Sequence, residues 1–390
     1  MIPNGPLSGF RILEMGANLT GPFATMLLGD QGADVIKLET ATGDQMRYAG
    51  DSREGVNAMG TMFLSLNRSK RSIVIDLKTA EGVAQAQTLA ATCDAVVQNF
   101  RPGVVERLGL GYDEVKALRS DIIYVSIDGV GDIGPDRDRR VYDIVVQGMS
   151  GFAGVQADRD TGEPRTIQNA VVDKTTGLVV AQAVTAALLQ RSRTGQGQHV
   201  RVSMLNVALS FLWPEAMGAS TLIGDDVRSG GSMAGVRYVY STLDGHILLG
   251  FVSNDEFAAV CRAIDRPELL EDPRFSGVGQ RFANARDLNP FIAERIAEKT
   301  TAEWLDRLRA EDAVFAPVNR PDTVHLDPQI VAIGALIEHD HPVAGRYRQP
   351  VHPVRFNGAV APLTRHAPTL GQHTAEILAE LARPTAEDGR

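Results

Sequence analysis

The sequence predicts an α/β protein: a large domain built on a doubly wound, mainly parallel sheet, followed by a smaller α+β domain. Three observations carry this. Short β-branched or aliphatic runs alternate with amphipathic segments through the first half, which is the rhythm of βαβ units. Right-handed crossovers turn such units into a parallel sheet with helices on both faces. At 390 residues and 44% hydrophobic content, the chain is long enough to close two hydrophobic cores, at roughly 150 residues per domain.

In order, strands are expected at Phe10–Met15, Val35–Leu38, Ser72–Leu77, Ala95–Gln98 and Ile122–Ile127, with helices among them at Gly21–Gly29, Ala80–Ala91 and Asp113–Leu118. That succession is Rossmann-like. After Asp173 come a long helix to about Arg191, the turn Thr194-Gly-Gln-Gly-Gln198, a strand at His199–Val202 and a helix through Phe211. Together these make a large first part, 1–212. The stretch 213–235, with Pro214, Gly218, Gly224, Gly230, Gly231 and Gly235, reads as a linker. A small domain is expected over 236–325, with strands at Val236–Ser241 and Ile247–Val252 joined by Asp244-Gly245, and helices at Asp255–Ala263, Pro290–Ala297 and Thr301–Ala310. The remainder, 326–390, offers strands near Ala335–Glu338 and Val351–Phe356 and a helix at Thr374–Leu381, before a tail from Pro384 expected to fray.

Composition removes several functions. With 39 Lys+Arg against 48 Asp+Glu, the formal charge is −9, and without a basic block the chain lacks the electrostatic means to bind nucleic acid. Cys93 and Cys261 have no C-x-x-C partner and read as buried thiols of a reducing compartment, so the expected location is the cytoplasm. The start, Met1-Ile-Pro-Asn-Gly-Pro6, has neither a basic nor an apolar targeting segment. The most apolar helical stretch, Gly177–Leu189, is interrupted by Gln182 and Thr185 and is shorter than the roughly 20 residues of a bilayer span, so no membrane is expected as a partner.

Gly129-Val-Gly-Asp-Ile-Gly134 fits G-x-G-x-x-G after a strand, but Pro135 and the polar run Asp136–Arg140 follow where a dinucleotide site needs a helix to open. Glu338-His-Asp-His341 would bring only two imidazoles to one face of a strand, too few for zinc, and no metal is expected. No G-x-S-x-G, P-loop or H-E-x-x-H occurs. Arg68, Lys70, Arg71, Lys78, Arg101, Arg107 and Arg140 recur at the ends of expected strands. A phosphate-rich ligand outside the carboxyl edge of a sheet would suit them, and so would plain exposure to solvent. Asp173 precedes a helix expected to begin at Lys174, where its carboxylate reads either as an N-cap or as a nucleophile with spare backbone amides beside it for an oxyanion.

At these residues the chain resembles the class III CoA-transferases, the family of formyl-CoA transferase and carnitine CoA-transferase, related to α-methylacyl-CoA racemase. The resemblance runs from Pro6-Leu-Ser-Gly-Phe-Arg-Ile-Leu-Glu14 through Gly21–Glu39, Asn67-Arg-Ser-Lys-Arg-Ser-Ile73, Asn99-Phe-Arg-Pro-Gly103, Arg107-Leu-Gly109 and Thr194–Gln198 to Ala367-Pro-Thr-Leu-Gly-Gln-His-Thr374. It implies a transferase that moves CoA from an acyl-CoA to a free carboxylic acid, through aspartyl anhydride and aspartyl-CoA thioester intermediates. The nucleophilic aspartate of the family falls on Asp173, within Val172-Asp173-Lys-Thr-Thr-Gly177. Its CoA-contacting positions fall on Asn18, Ile75, Lys78, Asn99, Phe100, Arg107, Leu108, Arg140 and Val172, and its acid pocket on Leu19 and Tyr142. The resemblance also implies a large domain completed by the return segment 326–390, and a homodimer of two chains linked like rings.

Two departures bear on specificity. Formyl-CoA transferases carry glutamine at the position of Leu19, and a longer glycine-rich lid where this chain has Ser229-Gly-Gly-Ser232, which argues against oxalate as acceptor. The alternative enzyme is an α-methylacyl-CoA racemase, which needs a titratable pair across the α-carbon. The racemases place histidine within Val141-Tyr142-Asp143 and a glutamate at Ser253-Asn254, so the transferase is favoured. Retention of Asp173 argues against a non-catalytic CoA-binding scaffold.

Overall fold

The computed structural model describes residues 5–158, 161–227, 238–360 and 363–383. The chain forms two compact units, 1–212 with 334–390, and 213–333. In the first, β1 (Arg11–Met15), α1 (Thr20–Asp30), β2 (Asp34–Glu39), β3 (Lys70–Val74), α2 (Ala80–Ala91), β4 (Ala95–Gln98), α3 (Val104–Arg107), α4 (Tyr112–Leu118), β5 (Ile123–Asp128), α5 (Asp143–Ser150), α6 (Val171–Thr194), β6 (Gln198–Ser203) and α7 (Met204–Ala216) follow one another. The six strands form one parallel sheet in the order β3-β2-β1-β4-β5-β6. Strand order reverses between β1 and β4, and sheets of this kind bind ligands at the carboxyl ends beside such a reversal.

The two faces of the sheet are chemically unlike. Leu13, Met15, Ile36, Leu38, Ile73 and Val96 pack on Ala86, Leu89 and Ala90 of α2, Val105 of α3 and Val115 of α4, giving an apolar core. Since strand side chains alternate, Glu14 points to the opposite face, where α1 lies. There Lys37 Nζ meets Glu14 at 2.6 Å and Asp44 at 2.9 Å, Lys70 Nζ meets Glu14 at 2.7 Å, and the Thr25 hydroxyl donates to Glu14 at 2.6 Å. Glu14, Lys37 and Lys70 are wholly buried. Burial alone would raise the Glu14 pKa, but the two ammonium groups overcome it and hold the carboxyl at about 2. Burial pushes Lys70 down to about 8, against the attraction of Glu14.

That network moves β3 from the expected Ser72–Leu77 to Lys70–Val74. A strand that opens on two cations reads as surface, yet Lys70 is paired with Glu14, and Arg71 with Asp34 at 2.6 Å, Glu380 at 2.6 Å and Glu376 at 3.0 Å. Arg68 is likewise bound to Asp30 at 2.7 Å. These three basic residues lie at the amino end of β3 and hold the fold together. They are not phosphate ligands.

Helix α6 also differs from expectation, because it starts at Val171 rather than after Asp173. By length and composition it would suffice to cross a bilayer. It buries Val172, Thr176, Gly177, Val180, Ala181, Val184, Ala187 and Leu188 and packs against α1. Gly177 permits the closest approach: a Cβ there would stand 2.9 Å from the Phe23 ring and 3.0 Å from the Thr20 carbonyl oxygen.

The second unit holds a three-stranded antiparallel sheet of β7 (Val239–Ser241), β8 (His246–Gly250) and β9 (Val314–Pro317), with α8 (Asn254–Ala263), α9 (Ala285–Ile296) and α10 (Thr301–Ala310). Ser253–Glu256 and Thr300–Glu303 form capping boxes at α8 and α10. Tyr240, Ile247, Leu249, Phe257, Ile292 and Trp304 form its core. Helix α9 begins five residues before the Pro290 expected to open it and carries that proline inside. The shortened lid and the tail from Pro384 lie outside the described residues.

In the return segment, of the expected Val351–Phe356 only Arg355–Phe356 is a strand, paired with Ala359–Val360. Strand β10 (Leu336–His341) pairs antiparallel with β11 (Gly345–Pro350), a strand the sequence did not suggest. The tight turn sets this register: Gly345 has φ +70, and the His341 ring accepts the Val343 and Ala344 amides. His341 Nε2 donates to the Ala367 carbonyl at 2.9 Å, so the ring is used structurally. Glu338 pairs with Arg346 and Arg348. No group of metal-binding side chains occurs among the described residues. Helix α11 (Thr374–Leu381) then docks on the edge strand β3, where Val74 donates to Thr374 and His373 to the Ser72 carbonyl.

Candidate active site

The loops leaving the carboxyl ends of β1, β3, β4 and β5 hold most of the residues singled out from the sequence. After β1, Asn18 adopts a left-handed backbone (φ 66) and donates its amide to Asp44 at 3.2 Å. After β4, the Asn99 side chain clamps the neighbouring loop, accepting from Ala17 N at 3.0 Å and donating to Ala17 O at 2.8 Å. Asn99 thus ties together the two loops at the reversal of the sheet. Ile75 is buried in the apolar core with its amide donating to the Glu39 carbonyl, and Phe100 and Leu108 are half-buried against the same cluster. Lys78, Arg101, Arg107 and Arg140 are exposed. No carboxylate lies within ion-pair distance of these four among the described residues. Leu19 is half-buried at the N-cap position of α1, and Tyr142 is exposed at that of α5.

Between β5 and α5 no helix opens on Gly129–Gly134; the loop is held instead by the Gly131 amide donating to Asp128. Pyrophosphate therefore meets no helix start there.

Asp173 is not the N-cap of α6. It lies in the first turn, and the capping carboxylate is Asp143 of α5, which accepts from Val172 N at 2.7 Å and Asp173 N at 3.0 Å. Gln147 holds Asp143 at 2.5 Å and accepts the Ile167 amide at 2.8 Å, fixing the chain that leads into α6. Val171 N donates to Asn169 O and Lys174 N to Ala170 O. The spare amides expected at this helix start are thus all engaged.

Unengaged amides occur instead on α1. Its N-cap is Leu19, which cannot cap, and its third residue is Pro22, which has no N–H. The backbone amides of Thr20 and Gly21 have no hydrogen-bond partner among the described residues, although both residues are buried. Orphan donors at a helix start attract negative charge. The Thr20 hydroxyl donates to Asp173 Oδ1, which brings that carboxylate to the start of α1. Burial pushes the Asp173 pKa up to about 6; Asp143 adds to the rise, while the Thr20 hydrogen bond and Lys174 oppose it. The site therefore holds a half-desolvated carboxylate that is ionised at neutral pH, two free backbone donors beside it, and exposed cations on neighbouring loops. Such a group can attack an electrophilic carbonyl and have the resulting oxyanion held.

Thr20, Asp143 and Gln147 were not singled out from the sequence. A threonine one residue before the expected start of α1 reads as an ordinary cap. The Asp143–Gln147 spacing reads as an ordinary helical i,i+4 pair. Their relation to Asp173 is made only by tertiary packing.

The model of CoA-transferase family III matches residues 7–374. The mouse succinyl-CoA:glutarate CoA-transferase is 37% identical over 383 residues, which cover 97% of this chain and 87% of that protein. The Acetobacter aceti acetyl-CoA:oxalate CoA-transferase is 32% identical over 390 residues, 99% of this chain and 98% of its own length. The crystal structure of a CAIB/BAIF family protein from Brucella suis superposes with a TM-score of 0.84 at 33% identity, covering 97% of this chain and all of that one.

Proposed function

The chain belongs to CoA-transferase family III, and we propose that it transfers CoA between two small carboxylic acids through covalent intermediates on Asp173. One observation carries this reading: the Asp173 carboxylate stands in the first turn of α6 beside the unpartnered amides of Thr20 and Gly21. Attack of Asp173 on the thioester carbon breaks the C–S bond and gives an aspartyl anhydride, with CoA leaving as thiolate. The thiolate then attacks the aspartyl carbonyl carbon. The anhydride C–O bond breaks, the donor acid departs with that oxygen as a carboxylate, and an aspartyl-CoA thioester remains. The acceptor acid repeats the two steps in reverse order. Each tetrahedral stage places negative charge where free backbone donors are available.

Coenzyme A fits the same edge of the sheet. Lys78, Arg107 and Arg140 are exposed cations suited to its phosphates, and the Asn99 clamp and the Asn18 turn shape the loops between them. The names of the relatives point to dicarboxylic acids as acyl groups, with succinate and glutarate the first to test. The apolar Leu19 beside the start of α1 favours acids with a hydrocarbon spacer over oxalate.

The test is to incubate the protein with succinyl-CoA, acetyl-CoA and a panel of free acids and to follow new acyl-CoA species by mass spectrometry. Transfer to glutarate or a similar acid is expected. Replacing Arg107 or Arg140 by Ala is expected to raise KM for the acyl-CoA roughly tenfold or more, the scale of a charge-assisted phosphate contact. Hydrolysis without transfer to any acid would refute the reading, and unchanged KM in both variants would remove the phosphate assignment.

The homodimer belongs to the same proposal. Leu178, Val179 and Leu189 on the outer side of α6 and Ile144 on α5 are exposed, a grouping of large apolar side chains that suits a protein interface. Light scattering at low micromolar concentration is expected to give twice the chain mass of 42.0 kDa. A folded 42.0 kDa species that retains transfer activity would rule the dimer out.

A further inference from the structure

We propose that Thr20 is a further catalytic residue, whose hydroxyl stays on Asp173 Oδ1 through both chemical steps and leaves Oδ2 as the attacking oxygen. The inference rests on Asp173 being the nucleophile. Thr20 is 3% exposed and opens α1. Its hydroxyl donates to the Asp173 carboxylate, and since an ionised carboxylate has no hydrogen to give, the direction of the bond is fixed. Helical hydroxyls commonly bond back to a carbonyl four residues earlier, as Thr175 does to Val171 and Thr185 to Ala181. Thr20 stands in the first turn and faces across to α6 instead. Lys174, the cation adjacent in sequence, is turned to Asn169. Among the described residues, the Thr20 hydroxyl is the one side-chain donor to Asp173.

The chemical consequence follows from which oxygen is tied. Among the described residues Oδ2 has no donor; it keeps its electron density and forms the new bond to the acyl carbon. In the anhydride Oδ2 is the bridge and Oδ1 is the aspartyl carbonyl oxygen, still facing the Thr20 hydroxyl. When the CoA thiolate attacks the aspartyl carbon, the negative charge develops on Oδ1. The same hydroxyl then donates to an oxyanion, where a hydrogen bond is stronger than in the ground state. The Cγ–Oδ2 bond breaks, Oδ2 leaves in the free acid, and Oδ1 becomes the thioester carbonyl.

Gly177 makes the approach of the two helices possible: its missing Cβ leaves room for the Thr20 carbonyl and the Phe23 ring. Thr20 and Lys174 favour the ionised carboxylate, whereas burial and Asp143 oppose it.

The experiment compares Thr20→Val, which keeps the shape and removes the donor, with Thr20→Ser, which keeps the donor. For Thr20→Val, kcat is expected to fall roughly 100- to 1000-fold, the range for loss of one donor to a developing oxyanion. KM for acyl-CoA should stay within about twofold, because the ground-state thioester does not touch this hydroxyl. The acid limb of the pH–rate profile should move to higher pH. Thr20→Ser should recover kcat to within about threefold of wild type if the donor is what matters. In each variant, acyl-CoA followed by hydroxylamine locates the acylated carboxylate. Label on the Asp173 peptide together with wild-type kcat and pH profile in Thr20→Val overturns the role of Thr20 alone. So does a Thr20→Ser variant no faster than Thr20→Val when both melt as wild type does. Label on another carboxylate overturns the Asp173 reading itself.

Discussion

Replacing Asp173 by Asn is expected to reduce CoA transfer by roughly a thousandfold or more, since the amide offers no oxygen that can form an anhydride. The fold should survive. The cap of α6 is the Asp143 carboxylate acting on the backbone amides of Val172 and Asp173, and an asparagine backbone serves it equally well. The Asn carbonyl oxygen can still accept from Thr20. Stability should in fact hold or rise at neutral pH. The folded pKa of Asp173, about 6, lies above its ordinary 3.8, so burial makes this carboxylate destabilise the folded state, and increasingly so as pH rises from about 4 to about 6. A neutral side chain removes that penalty. Acyl-CoA followed by hydroxylamine or borohydride should leave a mass change confined to the wild-type peptide that contains Asp173, and none in the variant. Near-normal transfer by Asp173→Asn, or a label on a different carboxylate, would defeat the mechanism.

The strands were legible where hydrophobic pattern and local turns agree. β1, β2, β4 and β5 lie within a residue or two of their expected places, because each carries aliphatic residues buried in the parallel sheet. β3 was displaced because Lys70 and Arg71 are buried in ion pairs with residues from β1, β2 and the far end of the chain, and no local window contains their partners. The strand Gly345–Pro350 was not legible for a similar reason: the His341 ring determines where the turn before it falls.

The site was legible only in part. Asp173 stood out through the resemblance of its surroundings, while its own local chemistry read equally well as a cap. The groups that govern its reactivity come from elsewhere: Thr20 is 153 positions away and Asp143 is 30. A sequence scan reads capping within a few residues of a helix start, so a cap supplied by another helix is invisible to it, and so is a helix start left open by Leu19 and Pro22. The cations divide on the same principle. Those at the amino end of β3 are consumed in ion pairs, and those at the carboxyl edge are exposed, a distinction that depends on strand direction and not on residue type.

The second large effect is expected in the first unit, at Glu14. This carboxylate is wholly buried between two ammonium groups, Lys37 at 2.6 Å and Lys70 at 2.7 Å. Replacing it by Gln keeps the shape and the capacity to accept from Thr25, but leaves Lys70 with only the Pro22 carbonyl and the Asn67 side chain as partners. Breaking a buried pair on one side strands a charge and costs roughly 3–5 kcal/mol. A drop in melting temperature on the order of 10 °C should follow. The double variant Glu14→Gln with Lys70→Met removes the stranded charge as well, while Lys37 keeps Asp44 at 2.9 Å. The double variant should therefore melt above the single one, although it departs further from the native sequence. The pH dependence carries the same sign. Glu14 is held at about 2, below its ordinary 4.5, so its contribution to stability is complete above about pH 4.5 and is lost as pH falls toward 2. Thermal melts of wild type, single and double variants between pH 3 and 7 decide the matter, with wild type and Glu14→Gln drawing together at the acid end. A single variant as stable as wild type at neutral pH, or a double variant less stable than the single, would show that this network does not hold the sheet to α1.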